Sequence, residues 1–540
     1  MAKAKKEKEV TLETVLWNCR VALRGIGSLE KNRDAVIGLV FMKFAGDKFK
    51  NRREELQKKF KGNANIDVFL EQASFYNAEN VFYLPEHCRW EFLEKNAGAN
   101  DIAIKLDTAM TDIEENNAQL KGALQHNLYS SLGAANSKLK SLIDEVNKIS
   151  SDRFKEDDLI GRVYEYFLQI YAASGTKEDG EFYTPASVVK LIAELIEPYQ
   201  GVVYDPCCGS GGMFVQSLKF VDAHNGNRKN ISILGQESNP ATWQLARMNL
   251  ASRGISHDLG ETATSTFLSD QHKDRKVNYI MANPPFNLKG WQTETQTGEK
   301  KDPRFTGFEM PPDSNANYAW ILHMLSKLDV NNGIAGFLLS NGALNADGAE
   351  YKIRKELLKR DKVEAIIVLP RDMFYTTDIS VTLWIINMNK KAQTRNGREL
   401  RDRTNEVLFV DLRQWNNNID EIVIDKNKKK KKTILTDEQI AKVKAIYNDW
   451  QSKDCVQNQR VADVPELCKS VGIYDIDGIE KNDYALTPST YIRFIDHDLD
   501  IDYSKEMDRI RHEMKDILKM EREAQSMLEK AFRGIGYGLE

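Results

Sequence analysis

The chain has 540 residues, of which 41% are hydrophobic and 29% charged, and its 76 basic against 80 acidic side chains leave a net charge of −4. This composition is typical of a soluble protein of roughly three or four domains and excludes a fibrous or mainly disordered chain. The near-zero charge also argues against a stand-alone DNA clamp, which needs clustered Lys and Arg. Without an apolar run of about 20 residues or a signal peptide, we expect a cytoplasmic protein with no membrane contact.

The N-terminal part of the chain is predicted to be helical. Apolar residues recur at helical spacing, as in Val15, Leu16, Cys19 and Leu23. We therefore assign residues 1–150 to a helical N-terminal domain. The six cysteines form no C-x-x-C pair and no Cys/His group with zinc spacing, so we expect free thiols and no metal site.

From about residue 200 the pattern changes to short β-branched runs separated by helical stretches. Such alternation predicts an α/β fold with a parallel, doubly wound sheet, and we assign residues 151–425 to this catalytic domain. The predicted strands are 202–204, 231–234, 279–281, 335–339, 365–369, 382–387 and 407–410.

A lysine run at 426–432 follows the last of these strands and is predicted to be a loop or linker. The remaining chain, 426–540, is assigned to a C-terminal helical region. Its last segment has apolar residues at alternating spacings of three and four, which is typical of a helix that packs on another helix. This helix could dock a partner or pack on its own domain. The residues of the seam are Met507, Ile510, Met514, Ile517, Ala524, Leu528 and Ala531.

A glycine-rich turn follows the first strand and precedes a helical stretch. Glycines let the backbone approach a ligand, and the first N–H groups of the helix can bind an anion. Glu237, at the end of the second strand, could accept hydrogen bonds from a ribose. The alternative interpretations are a purely structural role for the glycine turn and a capping or surface role for Glu237. The interval to this acid is longer than the about 20 residues of dinucleotide folds, so a nucleoside-like ligand fits better. The turn contains Asp205, Gly209, Ser210, Gly211 and Gly212.

The strongest chemical signal is Asn283-Pro284-Pro285-Phe286, directly after the strand at 278–282. An exocyclic amine on a base is a poor nucleophile because its lone pair is delocalised into the ring. The Asn283 amide oxygen and the Pro284 carbonyl can each accept one N–H, and both prolines remove backbone donors that would compete. Phe286 offers a face for a base lifted out of the stack. A tight turn that ends a strand is the competing interpretation.

The order of these three features resembles the amino-methyltransferases that use S-adenosylmethionine. More narrowly, the chain resembles the modification subunit of Type I restriction-modification systems, a DNA adenine N6-methyltransferase. The resemblance extends over most of the chain. Further matching segments are 16–49, 180–185, 315–320, 341–342, 369–370, 374–377, 482–484 and 486–488.

The resemblance implies a class I S-adenosylmethionine-dependent methyltransferase fold, which is Rossmann-like and doubly wound, with S-adenosylmethionine as cofactor. Residues 210–212 match the turn around the methionine portion, Glu237 matches the ribose acid, and 283–286 match the catalytic motif. The first cofactor-contacting loop corresponds to Glu181, Phe182, Tyr183, Thr184, Pro185 and Ala186.

The resemblance also implies the partners. It implies DNA as the substrate and a complex of two modification subunits with one specificity subunit that reads the sequence. A nuclease-translocase subunit joins for cleavage. The chain itself has no G-x-x-x-x-G-K-[ST] phosphate loop, so we expect it neither to cleave nor to translocate DNA.

Three positions depart from the family pattern. Ser265 stands where relatives often carry Asp, Ala186 stands where many carry Arg, and Cys207 and Cys208 replace small residues in the glycine turn. Two competing functions are a methyltransferase acting on RNA or on a protein glutamine amide, and a scaffold that keeps the fold without activity. The first group usually has Tyr in the place of Phe286. Intact Asp205, Glu237 and Asn283 argue against the second.

Overall fold

The computed structural model describes nine stretches of the chain. They are residues 11–150, 162–163, 166–167, 184–292, 302–374, 380–425, 428–453, 464–492 and 503–534.

The described residues 11–150 form a helical region, as the sequence predicts. Its apolar residues gather in one core, which is built around the long second helix and includes Phe41, Trp90 and Leu142. Ser28 begins that helix by accepting a hydrogen bond from the backbone of Lys31. The helices are Leu12–Ala22 (α1), Leu29–Lys59 (α2), Ile66–Leu70 (α3), Ser74–Asn77 (α4), Trp90–Lys95 (α5), Ile102–Glu115 (α6), Leu128–Ser131 (α7) and Asn136–Val146 (α8).

A nine-stranded sheet forms the centre of the following region, and all seven predicted strands lie in it. The strands in spatial order are Cys468–Gly472 (β13), Glu406–Asp411 (β10), Val363–Val368 (β6), Val381–Asn387 (β7), Ile334–Ser340 (β5), Tyr279–Ala282 (β4), Gly201–Asp205 (β1), Ile231–Gly235 (β2) and His257–Asp258 (β3). A separate hairpin pairs Gln393–Arg395 (β8) with Arg398–Leu400 (β9).

Helices cover both faces of this sheet, which confirms a doubly wound α/β fold. One face carries Ala186–Ile196 (α9), Gly212–Ala223 (α10), Pro240–Ser252 (α11) and Asp437–Gln451 (α14). The other face carries Asn317–Lys327 (α12) and Gly348–Lys359 (α13). Strands that are buried between two helical layers have largely apolar sequences, as β5 and β6 do.

The sheet is mixed, so the expectation of an all-parallel sheet is wrong. Strand β7 lies antiparallel between β5 and β6, and β13 is antiparallel to β10. Strand β7 follows β6 in the chain and pairs with it in the antiparallel direction. The chain therefore enters β7 from the edge at which β6 ends, and it runs back.

The lysine run is also not a linker. Residues Lys428–Thr433 form strand β12, which pairs with Ile419–Asp425 (β11) as an antiparallel hairpin. The register places Lys432 opposite Asp420 and Lys431 opposite Glu421. Opposite charges on facing strands favour the pairing of those strands. The lysine run considered by itself gives no information about the acidic strand that it faces.

The predicted boundary at 425 is likewise wrong in part. Strand β13 belongs to the central sheet and α14 packs on it, so these parts of 426–492 extend the α/β region. Residues Arg493–Glu540 form a second unit, whose described part is one helix, Tyr503–Gly534 (α15). This confirms that the predicted seam is helical. Among the described helices, none combines the length and the apolarity needed to cross a membrane.

Candidate functional site

Three neighbouring parallel strands bring the sequence-predicted residues to one edge of the sheet. Strand β1 lies between β2 and β4, and Asp205 at its end is in register with Gly235 at the end of β2. Asn283 directly follows the end of β4. Ligands of open α/β sheets bind at this carboxyl edge, where the strand order reverses. The glycine turn, Glu237 and Asn283 therefore meet at the place where a ligand is expected.

The glycine turn leaves open space in front of its backbone. Gly209 has φ +54° and Gly211 has φ +84°, a region that side chains with a Cβ rarely adopt. A Cβ placed on Gly209 or Gly212 would meet no atom of the described residues within 4 Å. Helix α10 begins at Gly212 without a side-chain cap, so its first N–H groups are available to an anionic group.

Glu237 connects the glycine turn to the end of β2. One carboxylate oxygen accepts a hydrogen bond from the backbone N of Gly209 at 2.9 Å. The other accepts hydrogen bonds from the backbone N of Ser238 at 2.7 Å and of Asn239 at 2.9 Å. The carboxylate is thus fixed by three backbone donors, and its remaining lone pairs can still accept hydrogen bonds from hydroxyls.

Burial perturbs two carboxylates at this edge of the sheet, Asp205 and Glu237. Asp205 is 1% exposed, and its Oδ1 accepts a hydrogen bond from the backbone N of Cys207 at 3.0 Å. Burial, with the added charge of Glu237, raises the pKa of Asp205 to about 7. Burial likewise raises the pKa of Glu237. A cationic ligand would therefore be stabilised by both groups as they ionise.

Three of the residues that depart from the family pattern, Ser265, Cys207 and Cys208, have structural roles. Ser265 Oγ accepts a hydrogen bond from the backbone N of Phe267 at 3.3 Å, which orders the turn at that point. The thiols of Cys207 and Cys208 are free, and burial raises the pKa of both well above the usual range. A thiol that resists ionisation is a poor nucleophile, so both cysteines act as packing groups. The other described cysteines, Cys19, Cys88 and Cys468, are buried.

The two polar atoms of the Asn283 side chain differ in their hydrogen bonding. Its Nδ2 donates a hydrogen bond to Thr184 Oγ1 at 2.9 Å. Its Oδ1 is buried and has no hydrogen-bond partner among the described residues. Buried acceptors in native proteins are nearly always paired, so an unpaired one at a ligand-binding edge indicates a missing donor. Pro284 is buried, whereas Pro285 and Phe286 are half-buried, and Phe286 packs against the core shared with α9 and α10.

The predicted first cofactor loop is only partly described. Glu181, Phe182 and Tyr183 lie outside the described residues. Thr184 is half-buried, Pro185 is buried, and Ala186 is the exposed first residue of α9. The bond from Asn283 to Thr184 joins this loop to the motif after β4, a contact that the sequence analysis did not predict.

The sequence analysis also missed a polar network behind the motif. Asn287, which follows Phe286, is hydrogen-bonded to Asn317 and Ser340. The only sequence signal was that Asn317 lies in a segment matching the family. In the helical region, His87, Cys88 and Asp112 form a group that is compatible with a metal, which the cysteine spacing had not suggested. His87 Nε2 and Asp112 Oδ2 already pair there at 2.5 Å.

Comparisons with known proteins agree with this geometry. The family model "N-6 DNA Methylase" matches residues 155–499, and the model "HsdM N-terminal domain" matches 12–146. The chain is 35% identical over 477 residues to the Type I restriction enzyme HindI methylase subunit of Haemophilus influenzae, covering 84% of this chain and 100% of that protein. It is 29% identical over 547 residues to the MjaIX methylase subunit of Methanocaldococcus jannaschii, covering 97% of this chain and 91% of the relative.

A solved structure shows the same fold. The type I restriction-modification methyltransferase subunit of Streptococcus thermophilus aligns with a TM-score of 0.69 and 22% identity, covering 90% of this chain and 100% of that one. From β3 to β6 the strand order is 3-2-1-4-5-7-6 with β7 antiparallel, the arrangement of class I S-adenosylmethionine-dependent methyltransferases. The chain therefore belongs to the N-6 DNA methylase family, among the methylase subunits of Type I restriction enzymes.

Proposed function

We propose that this chain transfers a methyl group from S-adenosylmethionine to N6 of an adenine that has been flipped out of DNA. The observation that carries the proposal is the buried Oδ1 of Asn283 at the carboxyl end of β4, which has no hydrogen-bond partner among the residues that the structure describes. An acceptor held there without a partner is suited to an N–H donor that arrives with the substrate. The amino group of adenine is such a donor.

The reaction needs the adenine nitrogen to become a better nucleophile. Asn283 Oδ1 and the Pro284 carbonyl can each accept one N–H, which favours a pyramidal nitrogen with its lone pair directed at the methyl donor. Phe286, half-buried beside them, offers a stacking face for the extruded base. Proline at 284 and 285 provides no backbone N–H, so the two acceptors have no competing donor from the motif itself.

The residues at the glycine turn fit S-adenosylmethionine. The space in front of Gly209 and Gly212 can take the ligand, and the start of α10 can bind its carboxylate. Glu237 can accept hydrogen bonds from the ribose hydroxyls, and Asp205 contributes negative charge to a cationic ligand. Phe267 and the turn ordered by Ser265 follow Glu237 at the same edge. The cofactor supplies a methyl group on a sulfonium, which transfers directly once it is aligned.

The proposed partners follow from the second unit and from the relatives. We propose that α15 docks a specificity subunit that reads the DNA sequence, in a complex with two copies of this chain and, for cleavage, a nuclease-translocase subunit. Along α15, Met514 is 61% and Ile517 59% exposed, so the seam is available to a partner. The helical region 1–150 and the α/β region would then be the other parts that this chain contributes to a cytoplasmic modification complex.

A methyl-transfer assay tests the proposed function. Labelled S-adenosylmethionine is incubated with DNA and the chain alone, and then with the specificity subunit encoded beside it. We expect label in N6-methyladenine only with the partner present, and no label with Asn283→Ala although the cofactor still binds. Label in RNA or in a glutamine amide would instead support the competing substrates, and cofactor binding without transfer to any of these would indicate a scaffold.

A further inference from the structure

We propose that Asn287 and Asn317 form a positioning pair that fixes the catalytic loop, so that Asn283 and Phe286 keep the geometry needed for transfer. This inference rests on the proposed function and deepens it. It assigns roles to two residues outside the catalytic motif. Asn287 immediately follows Phe286 in the chain, and Asn317 is the first residue of α12.

The backbone of Asn287 lies in a turn directly after the motif. Asn287 has φ +55°, in the left-handed region that Asn tolerates better than other residues with a Cβ. The residue is exposed, so core packing does not hold it in this conformation. Side-chain and backbone hydrogen bonds must therefore do so.

Asn317 supplies those hydrogen bonds reciprocally. The backbone N of Asn287 donates to Asn317 Oδ1 at 3.0 Å, and Asn317 Nδ2 donates to Asn287 Oδ1 at 2.9 Å. A backbone N–H can only donate, so the orientation of the Asn317 amide is fixed by the first bond and that of Asn287 by the second. Asn317 is 1% exposed, so loss of the first bond would take from its buried Oδ1 the donor supplied by Asn287. Its Nδ2 has a second acceptor, Ser340 Oγ, at 3.4 Å.

The pair is itself anchored to the neighbouring strand and loop. Ser340, the last residue of β5, donates from Oγ to Asn287 Oδ1 at 3.2 Å. The backbone N of Ala316 donates to the carbonyl of Leu288 at 2.9 Å, so the two segments also pair through the main chain. The loop after β4 is thus attached to the end of β5 and to the start of α12 at once.

The two ends of the catalytic motif are consequently held by two different segments of the chain. Thr184 binds the side chain of Asn283, and Asn317 binds the backbone that follows Phe286. Catalytic groups must lie within about 0.5 Å of the productive geometry, and a misplacement of about 1 Å can reduce a rate about 100-fold. A loop held at only one end would let Phe286 move relative to the Asn283 acceptor.

The test compares three variants, Asn287→Gly, Asn287→Ala and Asn317→Asp, in the full chain assembled with its specificity subunit. Asn287→Gly accepts the left-handed backbone but loses the amide, whereas Asn287→Ala loses both. Asn317→Asp keeps the acceptor for the Asn287 backbone but replaces the donor with a carboxylate that faces Asn287 Oδ1. Asn225→Ala is the matched control, because Asn225 is exposed with φ +55° at the far end of α10 from the glycine turn.

Single-turnover methyl transfer, S-adenosylmethionine affinity and the thermal unfolding midpoint are measured for each variant. Base extrusion is followed by the fluorescence of 2-aminopurine at the target position. We expect Asn317→Asp and Asn287→Ala to lose transfer rate on the order of 10- to 100-fold, with cofactor affinity unchanged and an altered 2-aminopurine signal. We expect a smaller loss for Asn287→Gly, and a wild-type rate for Asn225→Ala.

The inference is overturned if Asn287→Ala and Asn317→Asp both transfer methyl at the wild-type rate. It is also overturned if their losses of transfer rate only follow the fall in their unfolding midpoints, because that pattern indicates a structural role alone. Failure of the proposed function would look different, since the wild-type complex would then put no label into adenine. If Asn287→Ala or Asn317→Asp does not fold, Asn287→Gly, which preserves the backbone conformation, tests whether the Asn287 amide is needed for transfer.

Discussion

Asn283 donates its side-chain N–H to Thr184 Oγ1 across 2.9 Å, a bond between residues 99 positions apart in the chain. Because the hydroxyl accepts this hydrogen, the amide is oriented with Oδ1 away from Thr184 and open to a donor. Thr184 thereby selects which end of the Asn283 amide faces the ligand. The same residue lies in the loop assigned to the cofactor, so the two roles must be separated by experiment.

Substitution of Thr184 separates them. Thr184→Val preserves the shape but removes the acceptor, and one hydrogen bond contributes about 0.5–1.5 kcal/mol. We expect kcat to fall about 2- to 10-fold because the Asn283 amide is no longer oriented, while cofactor affinity stays constant. Thr184→Ser should restore the rate. Weaker cofactor binding with an unchanged kcat would show instead that Thr184 serves the cofactor alone.

Phe286 is predicted to matter most when the target base must leave a duplex. Stacking on an aromatic ring contributes about 1–3 kcal/mol per base, which offsets part of the cost of unstacking. We expect Phe286→Ala to reduce transfer more on duplex DNA than on a site whose target adenine is already unpaired. Phe286→Tyr, which retains the ring, is the matched control. Equal losses on the two substrates would count against the stacking role.

The pKa of Asp205 predicts a pH dependence of cofactor binding. Its pKa of about 7 means that the carboxylate gains its charge as the pH rises through neutrality. The affinity for the cationic cofactor should therefore rise between about pH 6 and 8. Asp205→Asn should reduce the size of this rise. Adenosine, which carries no sulfonium, is the control ligand, and titration calorimetry of both ligands checks the difference.

The same shift has the opposite consequence for the stability of the cofactor-free protein. A carboxyl whose folded pKa lies above its unfolded value of about 3.9 contributes stability below that pH, and this is lost as the pH rises through the folded pKa. We expect the contribution of Asp205 to the free energy of unfolding to decline between about pH 4 and 8. Asp205→Asn should unfold at a higher temperature than wild type at pH 8. An identical midpoint would contradict the inferred shift.

The seam of α15 is predicted to bind the specificity subunit. Met514→Glu with Ile517→Glu places two charges on the apolar face, where burial of an unpaired charge is costly. We expect this double variant to lose association with the specificity subunit in size-exclusion chromatography and to keep its cofactor affinity. Lys515→Glu, on the same turn and outside the seam, should still associate. Full association of the double variant would remove α15 from the interface.

Local sequence patterns determined the secondary-structure elements and turns of this protein, because these depend on residues that are neighbours in the chain. The strands at 202–204 and 335–339, the glycine turn from Gly209 and the motif at Asn283 all lie where the pattern predicted. The periodicity of apolar residues in strands, the conformational freedom of glycine and the rigidity of proline each act over a few residues. Their effects can therefore be predicted directly from the sequence. Parallel strands also align their carboxyl ends, so Asp205, Glu237 and Asn283, each placed at a strand end by the sequence, lie at one edge of the sheet.

Only the tertiary structure decided the contacts between distant segments. The antiparallel insertion of β7, the pairing of Lys432 with Asp420, and the bond from Asn283 to Thr184 each depend on which segment lies alongside. The pairing of Asn287 with Asn317 belongs to the same class, because its two amides come from different secondary-structure elements. Hydrogen bonds and charge pairs form wherever packing brings partners within about 3 Å, and no local period of the sequence encodes that proximity.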